Sequence, residues 1–144
     1  MRVIYGFGKK IDGLSHRPYA SLGVFDGVHL GHCYILSSLV HCAHSRRRKA
    51  VCVTFFPHPR KILSSRHIFA HLTSLPHRLD LIAETGVDIC LVISFNRRFS
   101  RISPQDFLRR LVYIANPEKI FVGSNFNFGH GGAGDVSLLK ALGK

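Results

Sequence analysis

Ala50-Val51-Cys52-Val53-Thr54-Phe55-Phe56 is apolar and largely β-branched almost without interruption. A strand with one wet face alternates apolar and polar residues, whereas a strand covered on both faces does not. This run therefore requires layers on either side of a sheet, which in practice means parallel strands joined by crossing helices. Tyr19 to Val24 and Asp88 to Phe95 read the same way, and Lys119 to Gly123 gives a fourth strand. Val3-Ile4-Tyr5 begins the chain as an edge strand, followed by a Gly- and Lys-containing connector.

Helical patterns fill the intervals. Ile35, Leu36, Leu39, Val40 and Ala43 form one apolar stripe, opposite a solvated face bearing Cys33, Ser37, His41 and His44. Thr73 or Ser74 caps a helix with Leu75, Leu79, Ile82 and Ala83 inward and Gly86 at its end. Ser103-Pro104 opens a third helix, with Phe107, Leu108, Leu111, Val112 and Ala115 inward. Asp135 caps a last one carrying Val136, Leu138, Leu139 and Leu142. Pro57 and Pro59 make 57–60 a stiff loop and exclude helix there. Strand and helix thus alternate in the α/β manner, with a parallel sheet flanked by helices on both faces.

The chemistry concentrates where strands end. After Leu22 the chain runs Gly-Val-Phe-Asp-Gly-Val-His-Leu-Gly-His, and a helix begins close to the second histidine. Spaced three apart, His29 and His32 share a face of the first helical turn. The helix start offers unpaired N–H groups and a partial positive charge to an anion such as phosphate. Extending the helix's apolar stripe backward places His32 on its sheet side. Residues 54–60, the basic loop 95–101 and the glycine-rich segment 123–135 each follow a strand as well. Ligands of parallel α/β sheets bind at that edge, so the four segments describe one site. The glycines of 123–135 make a mobile loop that lets a ligand approach the backbone.

Residues 23–32 resemble the signature of nucleotidyltransferases with a His-x-Gly-His motif. Phe25-Asp-Gly-Val-His-Leu-Gly-His32 in particular is similar to the adenylyltransferase module of bacterial FAD synthetase. Thr54-Phe-Phe-Pro-His-Pro-Arg60 and Gly123-Ser-Asn-Phe-Asn-Phe-Gly129 resemble that family too, although Ser124 stands where a glutamate is usual. The resemblance implies a Rossmann-like nucleotidyltransferase fold and transfer of AMP from ATP to FMN, giving FAD and pyrophosphate. It implies that His29 and His32 are catalytic and act on the phosphates. It places Gly23, Val24, Phe25, Asp26, His29, Gly31, His32 and Asn125 around ATP, with Asn125 toward the ribose. It places Phe56, Pro57, His58, Pro59 and Arg60 around the flavin. Mg²⁺ is expected as a cofactor held mainly by substrate phosphates, since carboxylates are few and form no cluster. No residue of the chain is assigned as a metal ligand.

The family domain ordinarily continues to a further strand and a Ser-Ser-Thr-x-x-Arg segment, often followed by a riboflavin kinase domain. Neither occurs within these residues, so 1–144 reads as a single nucleotidyltransferase domain, incomplete at its C-terminus. Two alternatives stay open: another His-x-Gly-His nucleotidyltransferase, acting on choline phosphate, NMN or pantetheine phosphate, and a non-catalytic nucleotide- or nucleic-acid-binding remnant.

Composition bounds the partners. Twenty Lys+Arg against eight Asp+Glu give a net charge of +12, which suits polyanionic small molecules such as ATP and FMN. The one basic run, Arg46-Arg47-Arg48-Lys49, ends a helix, where cations complement the dipole, and motif-grade nucleic-acid signals are missing; nucleic acid is disfavoured. No apolar run approaches membrane-spanning length, and residues at the start lack the charged-then-apolar pattern expected of a signal peptide. The four cysteines form no C-x-x-C pair, and Cys52 and Cys90 lie in apolar strands, which fits a reducing cytoplasm.

Overall fold

The computed structural model describes residues 1–65, 70 and 72–143. Five parallel strands, β1 (Arg2–Tyr5), β2 (Tyr19–Leu22), β3 (Ala50–Phe56), β4 (Ile89–Ser94) and β5 (Lys119–Phe121), lie in the order β1-β4-β3-β2-β5. The first strand is at an edge, as its short polar-flanked sequence predicts. The helices are α1 (Leu30–Ser45), α2 (Pro59–Leu63), α3 (Leu75–Glu84), α4 (Pro104–Ala115) and α5 (Val136–Leu142).

β3 shows why its sequence has no polar alternation. Val51, Val53 and Phe55 point into a core completed by Phe107, Leu111 and Ile114 of α4. Ala50 and Cys52 point into a second core with Leu36, Leu39 and Ala43 of α1 and Ile82 of α3. The sheet is therefore flanked on both faces, α1 and α3 on one and α4 on the other. Chain direction across the sheet reverses between β2 and β5: β2, β3 and β4 step one way, and β5 returns to the far side of β2. Such a reversal opens a crevice at the carboxyl ends of the strands.

Several expectations change. Val112 is 53% exposed, and Ile114 takes its place in the core. Ala83 is exposed while Leu75, Leu79 and Ile82 pack inward. The two prolines do not exclude helix: Pro59 opens α2, because at the first position its missing N–H and fixed φ cost nothing. Between the two expected caps of α3, Ser74 takes the role, accepting from the His77 N–H at 3.4 Å. Ser74→Ala is expected to lower stability by about 1 kcal/mol in urea unfolding; an unchanged midpoint would remove the cap from the energetics.

The loop 123–135 is tied rather than loose. Phe128 and Gly134 exchange backbone hydrogen bonds of 2.9 and 2.8 Å, and Phe128 is buried against Phe107 and Phe126. Gly134 is required by that packing, since a Cβ there would lie 2.7 Å from the Phe128 ring. Asp135 caps α5 as expected, accepting from the Leu138 N–H at 2.9 Å.

Candidate active site

The turn between β2 and α1 is built by its glycines and one buried carboxylate. Phe25 adopts left-handed backbone angles (φ 53°) and folds its ring back beneath Gly23, where a Cβ would sit 2.8 Å from the ring. The ring is 1% exposed. Gly27 and Val28 also have positive φ, 74° and 39°. A β-branched residue seldom adopts such angles, so the turn holds local strain that the surroundings must impose.

Asp26 supplies that constraint. It is 9% exposed, and its oxygens accept from the Leu72 N–H, the Thr73 N–H and the Thr73 hydroxyl at 3.0–3.1 Å. The same hydroxyl oxygen accepts from the Gly27 N–H at 3.2 Å. Arg78 of α3 places Nη2 3.7 Å from the carboxylate. Burial alone would raise the Asp26 pKa, but these bonds and the guanidinium outweigh it and hold the carboxyl below its ordinary value. The carboxylate thus faces the protein interior and pins the turn to the segment before α3.

With the turn fixed, His29 caps α1, its Nδ1 accepting from the His32 N–H at 3.4 Å. An accepting Nδ1 leaves the proton on Nε2, which points away as a donor. The His29 and His32 rings stack with centroids 3.6 Å apart, and Phe25 meets the His32 ring edge-on at 5.2 Å. His32 is half-buried on the inward side of α1, as its helical position predicts. Burial first, then the neighbouring His29, push its pKa down from 6.5 to about 4, against a smaller opposing pull from Asp26. At neutral pH the ring is uncharged. Its Nδ1 is buried without a hydrogen-bond partner among the described residues.

Gly31, between the histidines, has a visible reason. A Cβ there would stand 3.1 Å from His29 Cε1 and 3.2 Å from Nδ1. Gly31→Ala is expected to fold normally yet displace the His29 ring. A misplacement of that kind costs roughly tenfold in turnover, read as kcat beside an unaltered circular dichroism spectrum; full activity would show that the ring's seat is immaterial.

The other motif segments converge on the same edge. Asn125 is exposed in the loop after β5, and the space beside Gly123 is closed by Asn125 Oδ1 at 3.3 Å and Ile35 of α1 at 3.8 Å. This loop therefore lies against the first turns of α1, across the crevice mouth. After β3 the Phe56–Pro57 peptide is cis, and His58 caps α2 by accepting from the Arg60 N–H at 3.1 Å. Val24 presents no free carbonyl to the crevice: the Thr54 hydroxyl donates to it at 2.7 Å and Arg78 at 3.1 Å. Sequence patterning did not single out Arg78, although it falls on the Leu75–Ile82 stripe of α3, and it offered Thr73 only as a helix cap rather than as the partner of Asp26.

A groove of about 270 Å³ lies at the opposite edge of the sheet, lined by His16, His44, Arg47, Arg48, Lys49 and Asp88. Its carboxylate is engaged within the fold, with His44 at 2.9 Å and Lys49 at 3.1 Å. Arg48 pairs with Glu118 at 2.9 Å. Part of the basic run thus has structural partners, and none of the motif residues lies there.

Fold and site define a doubly wound parallel α/β domain with a histidine-flanked helix start at its switch point. The chain belongs to the FAD synthetase family, whose sequence pattern matches residues 13–144. It is 35% identical over 144 residues to a bifunctional riboflavin kinase/FMN adenylyltransferase of Buchnera aphidicola subsp. Schizaphis graminum, covering 99% of this chain and 46% of that protein. The protein of the same description from Escherichia coli K12 is 34% identical over 148 residues, again covering 99% and 46%. The chain thus spans about half the length of the curated relatives it matches. A crystal structure described as a macrolide-efflux protein from Streptococcus pneumoniae shares the fold, with a TM-score of 0.84 at 24% identity, over 98% of this chain and 47% of that one.

Proposed function

We propose that the protein carrying this chain is an FMN adenylyltransferase, joining FMN and ATP into FAD and pyrophosphate. A phosphate oxygen of FMN attacks the α-phosphorus of ATP, the bond from that phosphorus to the β-phosphate bridge breaks, and pyrophosphate leaves. Such transfers depend on placement and on stabilising charge at the phosphorus and leaving group. The observation that carries the reading is the stacked His29–His32 pair at the helix start, held beside a switch-point crevice in a chain of this family.

In this reading the Nε2–H groups of both histidines and the N–H groups near Gly31 receive the triphosphate. Asn125 reaches the ribose from the opposing loop. Phe56 to Arg60 border the flavin. Gly23, Val24, Phe25 and Asp26 serve ATP by shaping the backbone of the cradle, since Phe25 and Asp26 keep their side chains inside. Among the described residues no group of three or more His, Cys, Asp or Glu could hold a metal ion. In this reading Mg²⁺ is carried mainly by the substrate phosphates. No helix of the described residues is long and apolar enough to cross a membrane, and four free cysteines fit a reducing cytoplasm.

The test is incubation of the purified protein with FMN, ATP and Mg²⁺, following FAD by chromatography and pyrophosphate by a coupled assay. Equal amounts of the two products are expected. Absence of FAD while RNA is bound tightly and salt-sensitively would replace this reading with the nucleic-acid one.

A further inference from the structure

Arg78 belongs to neither motif loop, yet its side chain is 0% exposed and ends between them. Its Nη1 donates to the carbonyl of Val24 and to that of Phe55, both at 3.1 Å. Val24 immediately precedes the left-handed Phe25, where the chain turns toward His29. Phe55 immediately precedes Phe56-Pro57, where β3 gives way to the loop assigned to the flavin. A single nitrogen therefore joins the two strand ends just before each departs for its own half of the site. Nη2 lies 3.7 Å from Asp26, the carboxylate that pins the first turn. The Thr54 hydroxyl grips the same Val24 carbonyl at 2.7 Å.

A guanidinium is a poor choice for filling a core. Its charge must leave water, and apolar side chains of similar volume often serve stability equally well or better. What an apolar side chain lacks is a rigidly held N–H₂ group able to donate to two carbonyls at a set separation. We infer that Arg78 is a positioning residue for nucleotidyl transfer: by clamping the Val24 and Phe55 carbonyls it sets the spacing between the phosphate-side and flavin-side loops. The inference rests on the FMN adenylyltransferase reading. In-line attack needs the reacting atoms within about 3–3.5 Å, and an error near 1 Å costs about 10² in rate. Each loop keeps its own contacts when the clamp is lost, so substrate binding survives while alignment does not.

The experiment compares full-length wild-type protein with Arg78→Met and Arg78→Lys, measuring kcat and the KM for each substrate beside circular dichroism and thermal melts. Arg78→Met is expected to lower kcat about 10–100-fold with both KM values within about threefold. Arg78→Lys, which keeps a cationic donor without the planar guanidinium, is expected to recover only part of the loss and to stay at least about threefold below wild type in kcat. Wild-type kcat in a folded Arg78→Met, or raised KM at unchanged kcat, overturns the positioning role. If Arg78→Met does not fold, Arg78→Lys decides: reduced kcat at constant KM supports the role and wild-type kcat overturns it. If neither Arg78 variant folds, the residue is needed for the fold itself and the positioning role is overturned. A wild-type protein that forms no FAD overturns the activity and the positioning role together, whereas an active wild type beside an equally active Arg78→Met overturns the positioning role alone.

Discussion

His32→Ala is expected to form FAD about 10²–10³-fold more slowly than the wild-type protein, the usual cost of losing one donor to developing charge. The ring is fixed before any ligand arrives: Phe25 abuts its edge, His29 covers its face at 3.6 Å, and Nδ1 is turned inside. A donor so held needs no reorganisation as charge develops on the phosphates. Because burial and the neighbouring His29 hold its pKa at about 4, the ring is uncharged throughout the physiological range. Two further results are then expected. His32→Asn, which keeps a neutral N–H, retains more activity than His32→Ala. The kcat profile between pH 6 and 8 shows no step that disappears on substituting His32. A near-wild-type rate for His32→Ala would remove the residue from the mechanism.

Asp26→Ala is expected to lower folding stability by about 3–5 kcal/mol, the range found when one member of a buried ion pair is removed. The Leu72 and Thr73 N–H groups lose their acceptor, and Arg78 loses the charge that opposes its own burial. Urea unfolding measures the loss, and a change below about 1 kcal/mol would show that the carboxylate is replaceable. The pH dependence has a definite sign. The folded carboxyl titrates below its ordinary value of 3.8, so the unfolded chain binds the proton more readily. Its stabilisation is complete above the unfolded pKa and disappears as pH falls through the folded one. Wild-type stability should therefore decline more steeply than that of Asp26→Asn as pH falls below about 4.

The architecture was legible because strands buried on both faces leave uninterrupted apolar runs that few other structures tolerate. α1 could be oriented from Ala43 back to His32, since one stripe runs its length, except that Cys33, expected on the solvated face, is half-buried against the core and donates to the Val28 carbonyl. α4 was misjudged at one position for a geometric reason: five residues beyond Phe107, Val112 is rotated by about 140° around the axis, while Ile114, seven beyond, returns within about 20°. Proline's opposite meanings at the start and in the interior of a helix concealed α2.

The site was legible only where it is local. Strand, turn, histidines and helix start are contiguous, so residues 23–32 announced themselves. The support beneath them is not contiguous. Asp26 meets Thr73 and Arg78 across a long stretch of chain, and nothing near Arg78 in sequence reports that its charge is inside. Its place on the Leu75–Ile82 stripe was the available signal. A charged residue on an amphipathic helix is ordinarily assigned to water, and here that habit hides the clamp.

The face-to-face histidines carry one more consequence. Rings 3.6 Å apart resist double protonation, and one of them is neutral well below pH 7. In the proposed reading His32 therefore meets phosphate as a dipole, through an oriented N–H, rather than as a fixed ionic charge. Attraction between full charges weakens as added salt shortens the Debye length, but short hydrogen bonds in a crevice do not. In that reading the share of nucleotide affinity that His32 supplies should survive ionic strengths that weaken purely ionic contacts.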